Sequence, residues 1–148
     1  MKFKPALSLI ELLLVVSLIG ILSLPGVLGI INIRARQSLD VSTNKFAEIM
    51  RQAHIFSREN RESLSWGVKG TDKNSYQLVT RDATKTVTVR EKHRLESPTV
   101  FIIYPFEVWF DQGTGNTEIN RIFMTYASKG GTRVVGLSPT GLVVIGIL

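Results

Sequence analysis

Two regimes of hydrophobic patterning divide the chain. Residues 7–33 read LSLIELLLVVSLIGILSLPGVLGIINI, apolar on every helical face, with Glu11 as the one ionisable side chain. At ~1.5 Å per residue, roughly 27 residues of helix exceed a hydrocarbon core of about 30 Å, which predicts the transmembrane half of a long N-terminal helix. Pro25 and Gly26, with Gly20 and Gly29 nearby, are expected to kink it, because proline lacks a backbone donor and crowds the preceding turn. Arg34 and Arg36 mark the far water interface. Beyond them Leu39, Phe46, Ile49, Met50, Ala53 and Phe56 recur at helical spacing, with Glu48, Arg51, Arg58, Glu59 and Arg61 on other faces. This is the pattern of an amphipathic half, running to about Asn60.

After Glu62 the period drops to two. Alternating or β-branched runs at 65–68, 76–80, 86–90, 100–104, 108–111, 121–126, 133–137 and 142–147 predict strands. Turn chemistry separates most of them: Lys73-Asn74-Ser75, Asp82-Ala83-Thr84, residues 112–116, Lys129-Gly130-Gly131, and Ser138-Pro139-Thr140-Gly141. Strands joined by short turns after one helix predict an α+β chain, an antiparallel sheet wrapping the apolar stripe of the helix. The expected division is 1–6 leader, 7–33 transmembrane half, 34–62 amphipathic half and 63–148 β-rich head.

Composition narrows the chemistry. The chain has 148 residues and no cysteine, which removes disulfides, thiolate metal sites and cysteine nucleophiles. A net charge of +6 admits anionic partners, although Lys2 and Lys4 read more simply as retention charges flanking a membrane segment. An apolar run behind a basic leader also fits a secretory signal peptide, with Val27-Leu28-Gly29 as its cleavage site. An acid near the start of the run argues against that, since a signal peptide gains nothing from a carboxylate there.

Catalytic and metal-binding patterns are weak. His54 and His93 lack metal-pair spacing and read as surface residues. Gly136-Leu137-Ser138-Pro139-Thr140 starts like a nucleophile elbow and fails at its last position. Oxygen ligands alternate from Asp111 to Glu118, as a calcium loop would require, but not in EF-hand order, and a glycine hairpin is the simpler reading. Arg81, Lys85, Arg90, Lys92 and Arg94 form a basic cluster, a candidate patch for an anionic partner, interrupted by Asp82, Glu91 and Glu96. Trp66 and Trp109 sit inside alternating runs and read as packing residues rather than base-stacking platforms. No metal or cofactor is expected, and no enzymatic activity.

Residues 6–22, ALSLIELLLVVSLIGIL, closely resemble the prepilin motif of type IV pilins and type II secretion pseudopilins. Looser likenesses at residues 51–60, at Trp66-Gly67-Val68 and at residues 137–143 point to the minor pseudopilins of the GspH and FimT type. The resemblance implies a pilin-like fold. It also implies cleavage between Ala6 and Leu7 by a prepilin peptidase, and methylation of the new amine on Leu7. Most members carry glycine before the cut and phenylalanine after it, and Ala6 and Leu7 depart from both.

Glu11 would meet the N-terminal amine of a neighbouring subunit, and Leu9, Leu12, Val16 and Gly20 would carry helix packing. An unpaired acid costs roughly 2.5–3.5 kcal/mol at mid-bilayer, whereas an opposite charge about 4 Å away offers up to about 4 kcal/mol at an effective dielectric near 20. The resemblance thus implies a minor pilin or pseudopilin that initiates or caps a filament. Its partners would be other pilins, the inner-membrane assembly platform and the lipid bilayer. It would lie in the inner membrane as a single-pass protein, head extracytoplasmic, and then in the pilus or pseudopilus. Two alternatives stand beside it: a DNA-binding minor pilin of natural transformation, and a secreted β-domain with a signal peptide. The arginine-rich C-terminal motif of DNA-binding FimT-like members has no counterpart in residues 141–148.

Overall fold

A computed structural model describes residues 8–119 and 121–147, with only the backbone considered at residues 21–28. One helix, α1, runs Leu9–Arg58. At its start Ser8 accepts the N–H groups of Glu11 and Leu12 at 3.0 and 3.1 Å, and Glu11 lies in the first turn, where the helix dipole favours a carboxylate. At the other end Asn60 takes the left-handed conformation (φ 55°) that stops a helix, and a 3-10 turn follows at Arg61–Ser63.

Eight strands come next: β1 Ser65–Asp72, β2 Ser75–Arg81, β3 Val87–Arg94, β4 Thr99–Phe101, β5 Phe106–Trp109, β6 Arg121–Ala127, β7 Gly131–Leu137 and β8 Val143–Ile147. Each overlaps one of the eight runs read from the sequence. The strands form two antiparallel sheets, β3-β2-β1-β5 and β4-β6-β7-β8. The chain therefore passes from the first sheet to the second after β3, back after β4, and across again after β5.

The α+β class holds, but the pilin-like architecture expected for it is corrected. Among the described residues no helix is long and apolar enough to cross a membrane, and there are two sheets where one was expected. From Gly29 to Arg58 the side chains of α1 are amphipathic rather than apolar all round, with buried Leu39, Phe46 and Met50 beside exposed Arg34, Arg36, Glu48 and Arg51. Arg34 and Arg36 interrupt the apolar run. Pro25, Gly26 and the Val27-Leu28 part of the expected cleavage site fall within residues 21–28, whose side chains lie outside the described set, and Ala6 and Leu7 also lie outside it.

The chain divides into two compact units, residues 1–33 and residues 34–148. The second holds the core. Phe46, Ala47, Ile49, Met50 and Ala53 present one buried stripe of α1 to residues of both sheets, and Leu39 is buried farther up the helix. Phe46, fully buried, lies edge-on to Tyr76 of β2 (5.2 Å), Phe101 of β4 (5.1 Å), Phe106 of β5 (5.7 Å) and Phe123 of β6 (5.6 Å). Tilted and edge-on pairs of this kind add to the area term through the ring quadrupoles.

Hydroxyls supply the polar ties between helix and sheets. The Thr43 and Thr125 hydroxyls pair at 2.7 Å, Ser42 Oγ accepts the Glu96 N–H at 2.8 Å, and Ser38 Oγ donates to the carbonyls of Glu96 and Ser97. These bonds let small polar residues sit in a buried contact without leaving backbone groups unpaired.

Replacing Phe46 with alanine removes the ring shared by both sheets and leaves a cavity. We expect a loss of about 3–5 kcal/mol, read as a lowered denaturant midpoint of tryptophan fluorescence. A loss below about 1 kcal/mol would show that the sheets do not depend on this ring.

Candidate functional site

The first unit carries the most unusual surface. Leu9, Leu12 and Val16 are 77, 57 and 59 % exposed, and Ile10, Leu13, Leu14, Val15 and Leu18 are exposed as well. At spacings of three and four, Leu9, Leu12, Val16 and Gly20 share one face of α1, and a Cβ at Gly20 would meet nothing within 4 Å. That face ends in a notch. Glu11, also exposed, is the one charged side chain among the described residues from Ser8 to Gly20. Contiguous apolar surface of this extent on a folded chain marks a place that another molecule or a lipid phase covers.

The basic cluster of the head does not form one patch. Arg81 lies at the end of β2 with its guanidinium 4.6 Å from the Trp109 ring, which also rests on β1 so closely that a Cβ at Gly67 would come within 2.6 Å of Trp109 Cε3. Arg90 is bound elsewhere: it donates to Thr80 Oγ1 at 3.1 Å, pairs with the Glu62 carboxylate, and lies 5.6 Å from the Trp66 ring. Lys92 and Arg94 are exposed opposite Gln77 and Ser75. Sequence proximity placed these cations together, and the pleat and the β2–β3 bulge at Leu78/Val79 divide them. Trp66, by contrast, is buried against Phe56, with the two rings 4.8 Å apart.

A cleft of about 430 Å³ joins Arg81 and Lys85 to Trp109, Asp111, Gln112 and Glu118. It thus puts two cations of the basic cluster beside the two carboxylates that bound the calcium-like segment. The segment itself closes as a turn, with the Asp111 N–H donating to the Asn116 carbonyl at 2.7 Å and the Gly115 N–H to the Asp111 carbonyl at 2.8 Å. Among the described residues no three His, Cys, Asp or Glu side chains stand where they could hold a metal ion. Ser138, the residue of the elbow-like motif, is a turn residue bonded to Thr140 and to the Leu142 N–H. Asp82 accepts from Thr84 Oγ1 and the Thr86 N–H, which hold its carboxyl below the usual range.

Neither histidine is a plain surface residue. His93 stacks on Tyr76 at 5.3 Å and contacts the Glu91 carboxylate at 3.1 Å. Burial, and then Glu48, push the Tyr76 hydroxyl above its ordinary range. His54 is half-buried, 5.6 Å from the Phe110 ring, and its ring fills the space a side chain would take at Gly115 and Gly141. Both glycines have positive φ (73° and 78°), so the two turns press bare backbone against the imidazole. Nothing in the local sequence signals this, because the glycines belong to turns far along the chain.

Comparison with known proteins adds no relative. No family model matches the chain, and no curated protein or solved structure matches it.

Burial, and then the nearby Arg58 charge, lower the His54 pKa from its ordinary value. A group depressed in this way is neutral in the fold, so its stability contribution is complete above the unfolded value of about 6.5 and is lost as pH falls through the folded value. The chain should therefore weaken as pH falls below about 6.5, and His54→Gln should flatten that slope in denaturant titrations. Asp82 acts at lower pH and is separable. An unchanged slope in the variant would remove His54 as the cause.

Proposed function

We propose that the chain is a structural subunit of a helical filament, acting as a minor pilin or pseudopilin that initiates or caps it. The observation that carries this reading is the apolar face of α1, exposed from Leu9 to Val16 with one carboxylate, Glu11, in its first turn. Neighbouring subunits supply what such a face needs: other apolar helices against Leu9, Leu12, Val16 and the notch at Gly20, and a positive amine for Glu11. Without a solvent-driven force between apolar helices in lipid, close packing at small residues and pairing of the polar group decide association. Support for the identity of the amine comes from the leader, which resembles a prepilin motif cut between Ala6 and Leu7.

On this reading a prepilin peptidase exposes and methylates the Leu7 amine at the cytoplasmic membrane, and the head lies on the extracytoplasmic side. An inner-membrane assembly platform then moves the subunit into the filament.

Glu11→Ala and Glu11→Gln should leave the amount of chain in membranes unchanged and reduce its presence in sheared filaments several-fold. Equal incorporation of wild type and variants would sink the proposal. Mass spectrometry of the mature chain should find methylated Leu7 at its N-terminus. A start near Ile30 would instead show a cleaved signal peptide.

A further inference from the structure

Four strands stand at sheet edges: β3 and β5 in the first sheet, β4 and β8 in the second. Folded proteins guard such edges with charge, bulges, proline, shortness or cover, because an open row of backbone groups pairs with any strand that reaches it. Three of the four are guarded here. β3 carries Arg90, Glu91, Lys92 and Arg94, and a register shift breaks its pairing with β2. β4 has three residues, and the Phe101 N–H is taken by the Lys73 carbonyl at 2.6 Å. β5 has four, starts directly after Pro105, and carries Glu107.

β8 carries no charge, proline or register shift, and among the described residues one side-chain contact, from Arg51 to the Val143 carbonyl, is its cover. Its sequence is Val143-Val144-Ile145-Gly146-Ile147. Val144 and Ile147 are 55 and 77 % exposed. On the outer face Val144 stands in register with Gly136 and, beyond it, with exposed Ile122, so the apolar surface continues across three strands.

One charged group lies at this edge. Arg51 of α1 is exposed and donates through Nη2 to the Val143 carbonyl at 3.3 Å, and among the described residues no carboxylate lies within ion-pair distance of it. The edge thus offers unpaired backbone groups along an uncharged strand with a single unneutralised cation at its Val143 end.

We propose that β8 is a strand-addition site, and that its occupant is an extended segment of a neighbouring filament subunit, uncharged along the pairing stretch and ending in a carboxylate that meets Arg51. An antiparallel strand, continuing the pattern of the sheet, brings its C-terminal end to Val143, which fixes where the carboxylate must sit. Main-chain bonds supply affinity, and the Arg51 contact supplies direction and selectivity. The occupant's being a filament neighbour rests on the reading above, whereas the strand-addition site does not depend on it.

The test uses the full chain in detergent micelles and a synthetic peptide with both ends blocked, acetyl-Thr-Val-Thr-Val-Thr-Glu-amide, at millimolar concentration, against the same amidated peptide with lysine in place of glutamate. The glutamate peptide should slow amide exchange at Val144–Ile147 at least tenfold at saturation and bind about fivefold more tightly than the lysine peptide. Ile145→Pro, which breaks the edge, should abolish the protection. Arg51→Ala, which leaves the sheet intact and so remains informative if the proline variant misfolds, should erase the difference between the peptides. Glu11→Ala should change neither result, which separates a failure here from a failure of the filament reading. Absence of protection at β8, equal binding of the two peptides by the unaltered chain, or protection that grows with protein concentration without peptide would each overturn the proposal; the last would identify a second copy as the occupant.

Discussion

The head depends on one helix being gripped from two sides at a single ring. Phe46 touches aromatic side chains of β2, β4, β5 and β6, so the two sheets share their central contact through α1. Among the described residues neither sheet closes into a barrel, and no second α-helix covers an inner face. Removing the stripe of α1 would leave both with exposed apolar surface, which is why the same helix also carries the hydroxyl ties of Ser38, Ser42 and Thr43. Packing at Phe46 sets how closely the helix approaches, and these bonds set its register along the sheets.

Much of the fold was legible in the sequence because its local signals agree. Alternation gave the eight strands, and Asn, Gly and Pro marked the turns with the conformations they favour. Sheet membership was not legible. Alternation says which residues share a face but not which strand lies next to which, and the crossings after β3, β4 and β5 follow from the aromatic residues converging on Phe46 rather than from any turn.

The candidate site divides in the same way. Leu9, Glu11, Leu12, Val16 and Gly20 follow from the resemblance of residues 6–22 to a prepilin motif, and helical spacing says only that Leu9, Leu12, Val16 and Gly20 share a face. Arg81 and Arg90 looked like neighbours, yet a bulge and a Glu62 partner separate them. His54 looked like a surface residue because its sequence neighbours are polar, and its cover is backbone from Gly115 and Gly141. The open edge at β8 was invisible for the same reason as the sheet order: an edge is defined by what fails to pair with it.

The ties between α1 and the second sheet bear on how the chain can be made. Thr43 and Thr125 are 82 residues apart, Arg51 and Val143 are 92 apart, and Asp40 and Arg133 are 93 apart. Contacts this remote form late, because a long loop must close before they reward it. A ribosome delivers the apolar helix first and the strands that complete its cover last. While the rest of the head is being synthesised, the stripe around Phe46 has only part of its partners, and the nascent chain needs an outside guardian until β6 through β8 have emerged.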